Sequence, residues 1–200
     1  MTSLLAAAVL SAAATSGPVL VDVGRVIPDA VLDMRYATAD NFLHRRVYAT
    51  ARCLLRRDVA DRLARVASRL RDDGFRLRLW DCYRPRSVQW QMWRIVPDRR
   101  YVADPRRGSN HNRGAAVDLS LATAEGRAVE MPTGFDAFEK RAAADAEEGV
   151  SDAARRNRAR LRRAMEAEGF QVTPTEWWHF NAPRASRYPL LDQPLDEVAR

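Results

Sequence analysis

An α+β fold is predicted for this chain, and three observations carry the prediction. One segment repeats apolar residues at helical spacing. Another alternates apolar and basic residues at strand spacing. The segments do not follow the regular strand–helix alternation of a doubly wound sheet. The 200 residues suit one compact domain, and a hydrophobic fraction of 46% is enough to build its core.

The domain is expected to begin near Val19, where Val19-Leu20-Val21-Asp22-Val23 reads as a strand. Asp58 is read as a helix N-cap, because Val59, Leu63, Val66 and Leu70 recur after it at steps of four, three and four. Gly74 stops that helix. Phe75 to Trp80 then alternates as a half-buried strand does. Pro85 closes the strand, Ser87 to Val96 reads as a short helix, and the polar residues 99–112 read as a loop. Ala115 to Leu121 forms the next strand. Ser151 caps a helix over Asp152–Glu168, with Gly169 as its stop. The last strands are expected at Phe170–Val172 and Trp177–Phe180.

The formal charge is +7, and of the 33 basic residues only Lys140 is a lysine. That bias matches a GC-rich genome better than selection for phosphate contacts. The arginines are interleaved with acids and no basic block meets an aromatic platform, so no nucleic-acid partner is expected. Residues 1–18 read as a signal peptide or unstructured leader. Leu4 to Ala14 is apolar and small, and Ala12-Ala13-Ala14 offers a cleavage site, although Met1-Thr2-Ser3 lacks the usual positive charge. Export to a compartment such as the periplasm is therefore expected, with the cytoplasm as the alternative. The apolar run is too short to span a bilayer, so stable membrane insertion is not expected. Cys53 and Cys82 form no CxxC pair and read as two small buried thiols, with one disulfide as the alternative in an exported chain.

The chemistry concentrates in two stretches, Ser109-Asn110-His111-Asn112-Arg113-Gly114-Ala115-Ala116-Val117-Asp118 and Glu176-Trp177-Trp178-His179. A catalytic zinc needs three protein ligands and one open position. His111, Asp118 and His179 supply two nitrogens and one oxygen, and a turn at Gly114 lets the chain fold back between the first two. Glu176 is the candidate base, three residues before His179. In an ideal strand those two would face opposite sides, so a bulge, a strong twist or a start of the strand beyond Glu176 is required. Arg84, in Asp81-Cys82-Tyr83-Arg84-Pro85, is placed to hold an oxyanion. Trp177 and Trp178 read as core or pocket wall. A non-catalytic module with structural zinc would ask for four protein ligands.

At these residues the chain resembles the D-alanyl-D-alanine dipeptidases of the VanX type, within the zinc D,D-peptidases that include carboxypeptidases. The resemblance runs from about Val23 to Pro183. It takes in Asp33-Met34-Arg35-Tyr36-Ala37-Thr38, Tyr83-Arg84-Pro85, the stretch 109–121, Met131 to Phe138, Gly169-Phe170 and Glu176 to Phe180. It implies a small α+β domain with a central, mainly antiparallel sheet flanked by helices and zinc in a cleft. It implies one zinc ion held by His111, Asp118 and His179, with Glu176 as acid and base and Arg84 as transition-state stabiliser. Ser109 and Asp136 match substrate-binding positions, Asp136 being suited to a substrate ammonium, and Tyr36 lines the same pocket. The implied activity is hydrolysis of D-alanyl-D-alanine in peptidoglycan turnover or glycopeptide resistance. The alternative is a carboxypeptidase or endopeptidase acting on stem peptides. Two positions depart from the pattern: Asp81-Cys82 stands where a small residue is expected before Tyr83, and His44, read as an exposed loop residue, stands where glycine is frequent.

Overall fold

The computed structural model describes residues 19–198, so the expected leader lies outside the described residues. The chain opens with strand β1 (Leu20–Asp22), the single turn α1 (Val23–Val26) and strand β2 (Val31–Leu32). Strand β3 (Leu54–Arg56) pairs antiparallel with β1 in a separate two-stranded ribbon.

Helix α2 (Arg57–Asp72) follows, and its buried face is Val59, Ala60, Leu63, Val66, Ala67 and Leu70. That is the stripe expected from the spacing. Each fully buried aliphatic side chain of this kind stabilises the fold by roughly 1.5–3 kcal/mol. The expected cap is corrected: Arg56 occupies the N-cap position, and Asp58 sits in the first turn, where it accepts a hydrogen bond from the Tyr188 hydroxyl. A carboxylate there still complements the positive end of the helix dipole.

Strand β4 (Phe75–Asp81) and helix α3 (Arg86–Ile95) come next, then β5 (Ala116–Thr123). Helix α4 (Asp152–Ala167) starts as expected, with the Ser151 hydroxyl accepting from the Ala154 amide at 3.1 Å. Strands β6 (Gln171–Thr173) and β7 (Glu176–Asn181) end the sheet, whose order is β2-β4-β5-β7-β6. Among the described residues only β2 and β4 pair in parallel. Runs of helix and antiparallel strand without βαβ repetition make this the expected α+β class. Strand β5 is central, and Ala116 to Ala122 are all buried, so both its faces are covered. Among the described residues no helix is long and apolar enough to cross a membrane.

The cysteines differ from the first expectation. Cys53 and Cys82 are not free thiols but a disulfide, with Cα atoms 5.2 Å apart. The bond ties the approach to β3 to the exit of β4.

Gly114 makes the turn between the short helical turn His111–Arg113 and β5. Its φ is +65°, and a Cβ there would lie 2.7 Å from Leu20 Cδ2. Both the left-handed backbone and the buried leucine oppose a side chain. Gly114→Ala is therefore expected to cost about 1–3 kcal/mol. In thermal unfolding this reads as a loss of about 2–4 °C per kcal/mol. An unchanged midpoint would contradict the turn geometry.

Candidate metal centre and catalytic cleft

Three neighbouring strands carry the site at one level. Asp118 of β5 is the direct partner of Asp81 on β4 and of His179 on β7. His111 reaches the same point because Gly114 folds its turn back over the start of β5. The three atoms that face one another are His111 Nε2, His179 Nδ1 and the Asp118 carboxylate. The separations are 3.3 Å from Asp118 to His111, 2.8 Å from Asp118 to His179 and 3.2 Å between the two nitrogens. Ligands at 2.0–2.1 Å around a tetrahedral ion lie about 3.3 Å from one another.

The outer nitrogens decide what those atoms are. His111 Nδ1 lies 2.7 Å from the Cys82 carbonyl, which can only accept, so this nitrogen carries the proton. His179 Nε2 lies 3.2 Å from Asn181 Oδ1, and Asn181 Oδ1 also accepts from Asn110 Nδ2. The two inner nitrogens are thereby left with lone pairs turned towards a carboxylate. Three electron-rich atoms so close need a cation between them. The residues therefore fit a metal ion. A proton is the substitute in its absence. Burial disfavours charge on His179, but Asp118 outweighs it and raises the imidazole to about 9. Burial of Asp118 is likewise outweighed by His111 and His179, which hold its carboxyl well below the usual range.

Glu176 begins β7, and its Oε2 is 3.9 Å from His179 Nδ1. Of the alternatives open to the sequence, an irregularity within the strand pairing is the one present. Val172 pairs with Phe180 and Thr173 with Glu176, so β7 accommodates extra residues against one step of β6. Trp177 and Trp178, consecutive and both buried, occupy the irregular stretch, while Glu176 and His179 emerge on the same side. Burial raises the Glu176 carboxyl above its ordinary value, and Asp118 adds to this against His179 and His111.

Arg84 is buried and held on several sides. Asp81 accepts from its Nε at 3.2 Å and from Nη2, and Gln89 accepts from Nη1 at 2.9 Å. The guanidinium lies over the Tyr36 ring, 5.1 Å from its centroid. Burial disfavours its charge, yet Asp81 keeps it protonated far above neutrality. Asp81 was not expected to have a role. It is fully buried, accepts from the Tyr48 hydroxyl at 2.5 Å and from the Cys82 amide, and lies 3.6 Å from His111 Nδ1. One carboxylate thus orients both the guanidinium and a metal-facing imidazole. Its signal in the sequence is an acid three residues before Arg84. Cys82, which seemed out of pattern, supplies the carbonyl that fixes the His111 tautomer.

Asp136 has a positive φ of 54°, unusual for a residue with a side chain, and accepts from the Tyr36 hydroxyl at 2.8 Å. Burial and the nearby Asp118 push its carboxyl well up. Ser109 Oγ accepts from the His111 amide at 3.0 Å. Tyr36, Arg84, Ser109, His111, Asp118, Asp136, Glu176 and His179 all line one cavity of about 120 Å³. Larger cavities of about 400 and 510 Å³ lie elsewhere, and neither contains a histidine. His44 is exposed, with φ 51°, and stands outside the metal-capable group.

The family model described as D-ala-D-ala dipeptidase, peptidase M15, matches residues 16–200. The chain belongs to this family. Three proteins named D-alanyl-D-alanine dipeptidase are similar to it. The Escherichia coli (strain K12) protein is 41% identical over 172 residues, covering 86% of this chain and 89% of its own. The Enterococcus faecalis (strain ATCC 700802 / V583) protein is 32% identical over 190 residues, covering 83% and 88%. The Streptomyces coelicolor (strain ATCC BAA-471 / A3(2) / M145) protein is 36% identical over 172 residues, covering 74% and 83%. Membership of the M15 dipeptidase family makes the chain a peptidase, the enzyme class expected from the motifs.

The His179 proton and a metal ion compete for the same nitrogen. Without metal, the raised imidazole stabilises the fold fully below about 6.5, and this contribution is lost as pH rises through about 9. With metal the sign reverses. Affinity for Zn2+, the test ion, is expected to climb by about tenfold per pH unit towards pH 9 and then level off. Titration calorimetry in buffers of different ionisation enthalpy reads the released proton. A pH-independent affinity would contradict the geometry.

Proposed function

We propose that this chain is a zinc dipeptidase that hydrolyses D-alanyl-D-alanine to D-alanine, as part of peptidoglycan turnover. One observation carries the reading: an open set of two imidazoles and a carboxylate shares a single small cavity with a half-buried acid, a buried guanidinium and a second half-buried carboxylate. The printed names of the relatives support the substrate.

In this reading one Zn2+ per chain is held by His111, Asp118 and His179. Nitrogen and oxygen donors without thiolate suit that ion, and three protein ligands leave the open position of a catalytic site. When bound, zinc supplies Lewis acidity, lowering the pKa of water from about 15.7 to about 7 and polarising a carbonyl.

The chain's own residues do the rest. Asp136, oriented by the Tyr36 hydroxyl, pairs with the free ammonium of the dipeptide. Ser109 uses its oxygen to accept from the His111 amide, which leaves its hydroxyl proton for the substrate carboxylate. Glu176 takes a proton from the attacking water. Its raised pKa brings it closer to neutrality and suits it to give that proton to the leaving amine as the C–N bond breaks. Arg84 stabilises the negative charge that develops on the former carbonyl oxygen. Because Asp81 and Gln89 already hold it in place, little reorganisation is required at that moment.

Glu176→Gln is expected to lower kcat for D-alanyl-D-alanine by about 100- to 10,000-fold while the protein still binds one equivalent of zinc. Chelator should abolish the wild-type activity and added Zn2+ restore it. A metallated variant keeping more than about a tenth of the activity would rule out Glu176 as the base.

A further inference from the structure

The catalytic cavity does not end in solvent alone. Tyr101 and Phe138 line it, and both also line a second cavity of about 380 Å³. Ala137, Lys140, Thr175 and Trp178 are among the other walls of that second space, and Glu176 borders both. The two aromatic rings come from different loops, one after α3 and one between β5 and α4. Their centroids are 4.5 Å apart at an interplanar angle of 63°, and Phe42 packs edge-on against Phe138 at 5.2 Å. Tyr101 is 40% exposed and Phe138 43% exposed, so neither is a core residue. An exposed aromatic contact between two loops does little for the core. Its position is what distinguishes it: it stands between two cavities.

We propose that the Tyr101–Phe138 pair is the partition that sets substrate length. The inference rests on the dipeptidase reading and adds to it a specificity device. The small cavity holds on the order of ten water-sized atoms, about the size of dialanine. Asp136 marks the amino end of the substrate, and Phe138 follows it by two residues. Phe138 and Tyr101 line both cavities, so a peptide that extends from its amino end into the larger space has to pass them. The space beyond them is the larger cavity, and the partition keeps an N-acylated or N-extended D-alanyl-D-alanine out of it. The strained backbone at Asp136 fixes the base of the Phe138 loop. The Phe42 ring packs against Phe138 and helps to hold it.

The test compares kcat/KM for N-acetyl-D-alanyl-D-alanine with that for the free dipeptide, using the full zinc-loaded chain. Asp136 is common to all variants, so any selection it makes against a blocked amine cancels between them. Phe138→Ala and Tyr101→Ala should each raise the blocked-to-free ratio by about tenfold or more, and Phe138→Tyr should leave it near the wild-type value. Thermal unfolding checks that each variant is folded, and Phe138→Leu supplies the same ratio where an alanine variant is not. Folded truncation variants whose ratio stays within about twofold of wild type overturn the partition alone. Wild type that already cleaves the blocked substrate as fast as the free one overturns the dipeptidase reading instead.

Discussion

The structure depends on the repulsion that the Asp118 carboxylate and two imidazole lone pairs would suffer without a positive charge among them. His111 and Asp118 are buried and His179 is half-buried, so little water is at hand to relieve them. Such a cluster is unfavourable on its own terms, and the surrounding architecture holds it regardless. Asp118 sits on the central strand, paired on one side with Asp81 and on the other with His179. A central strand covered on both faces cannot easily relieve the conflict by moving. A cation resolves it.

The other features follow from holding that cluster and leaving one side of it open. The left-handed turn at Gly114 returns His111 to the level of Asp118, and the Cys82 carbonyl fixes which of its nitrogens is free. The disulfide to Cys53 tethers the residue that carries that carbonyl. The irregular pairing of β6 with β7 brings Glu176 to the same side as His179, which a regular strand forbids. Asp81 links the metal side to the oxyanion side, because it meets both Arg84 and the ring of His111.

Much of this was legible in the sequence because it is local. The α2 stripe, the Ser151 cap, the alternation in β4 and the two histidine motifs each lie within a short window, and each appears where it was read. All eight expected site residues converge on one cavity. What escaped was non-local or ambiguous. The two- and three-residue strands β2 and β3 carry too little pattern to announce themselves. Asp58 has the chemistry of a cap, but the chain enters the helix two residues earlier, at Arg56, so the same carboxylate serves the first turn instead. The Cys53–Cys82 bond depends on the separation of two strand ends, which spacing in sequence does not reveal. Asp81 and Phe138 lie in stretches read from the sequence and Tyr101 in none, but no role was read for any of the three; only their positions beside the site give them meaning.

The central claim is that His111, Asp118 and His179 together hold one ion with nitrogen and oxygen donors and an open position. X-ray absorption at the zinc edge of the loaded chain tests it most directly. The account predicts two imidazole nitrogens plus oxygen at about 2.0–2.2 Å, with the imidazole scattering reduced in His179→Ala. Sulfur scattering at about 2.3 Å, or a spectrum with no imidazole component, would contradict it.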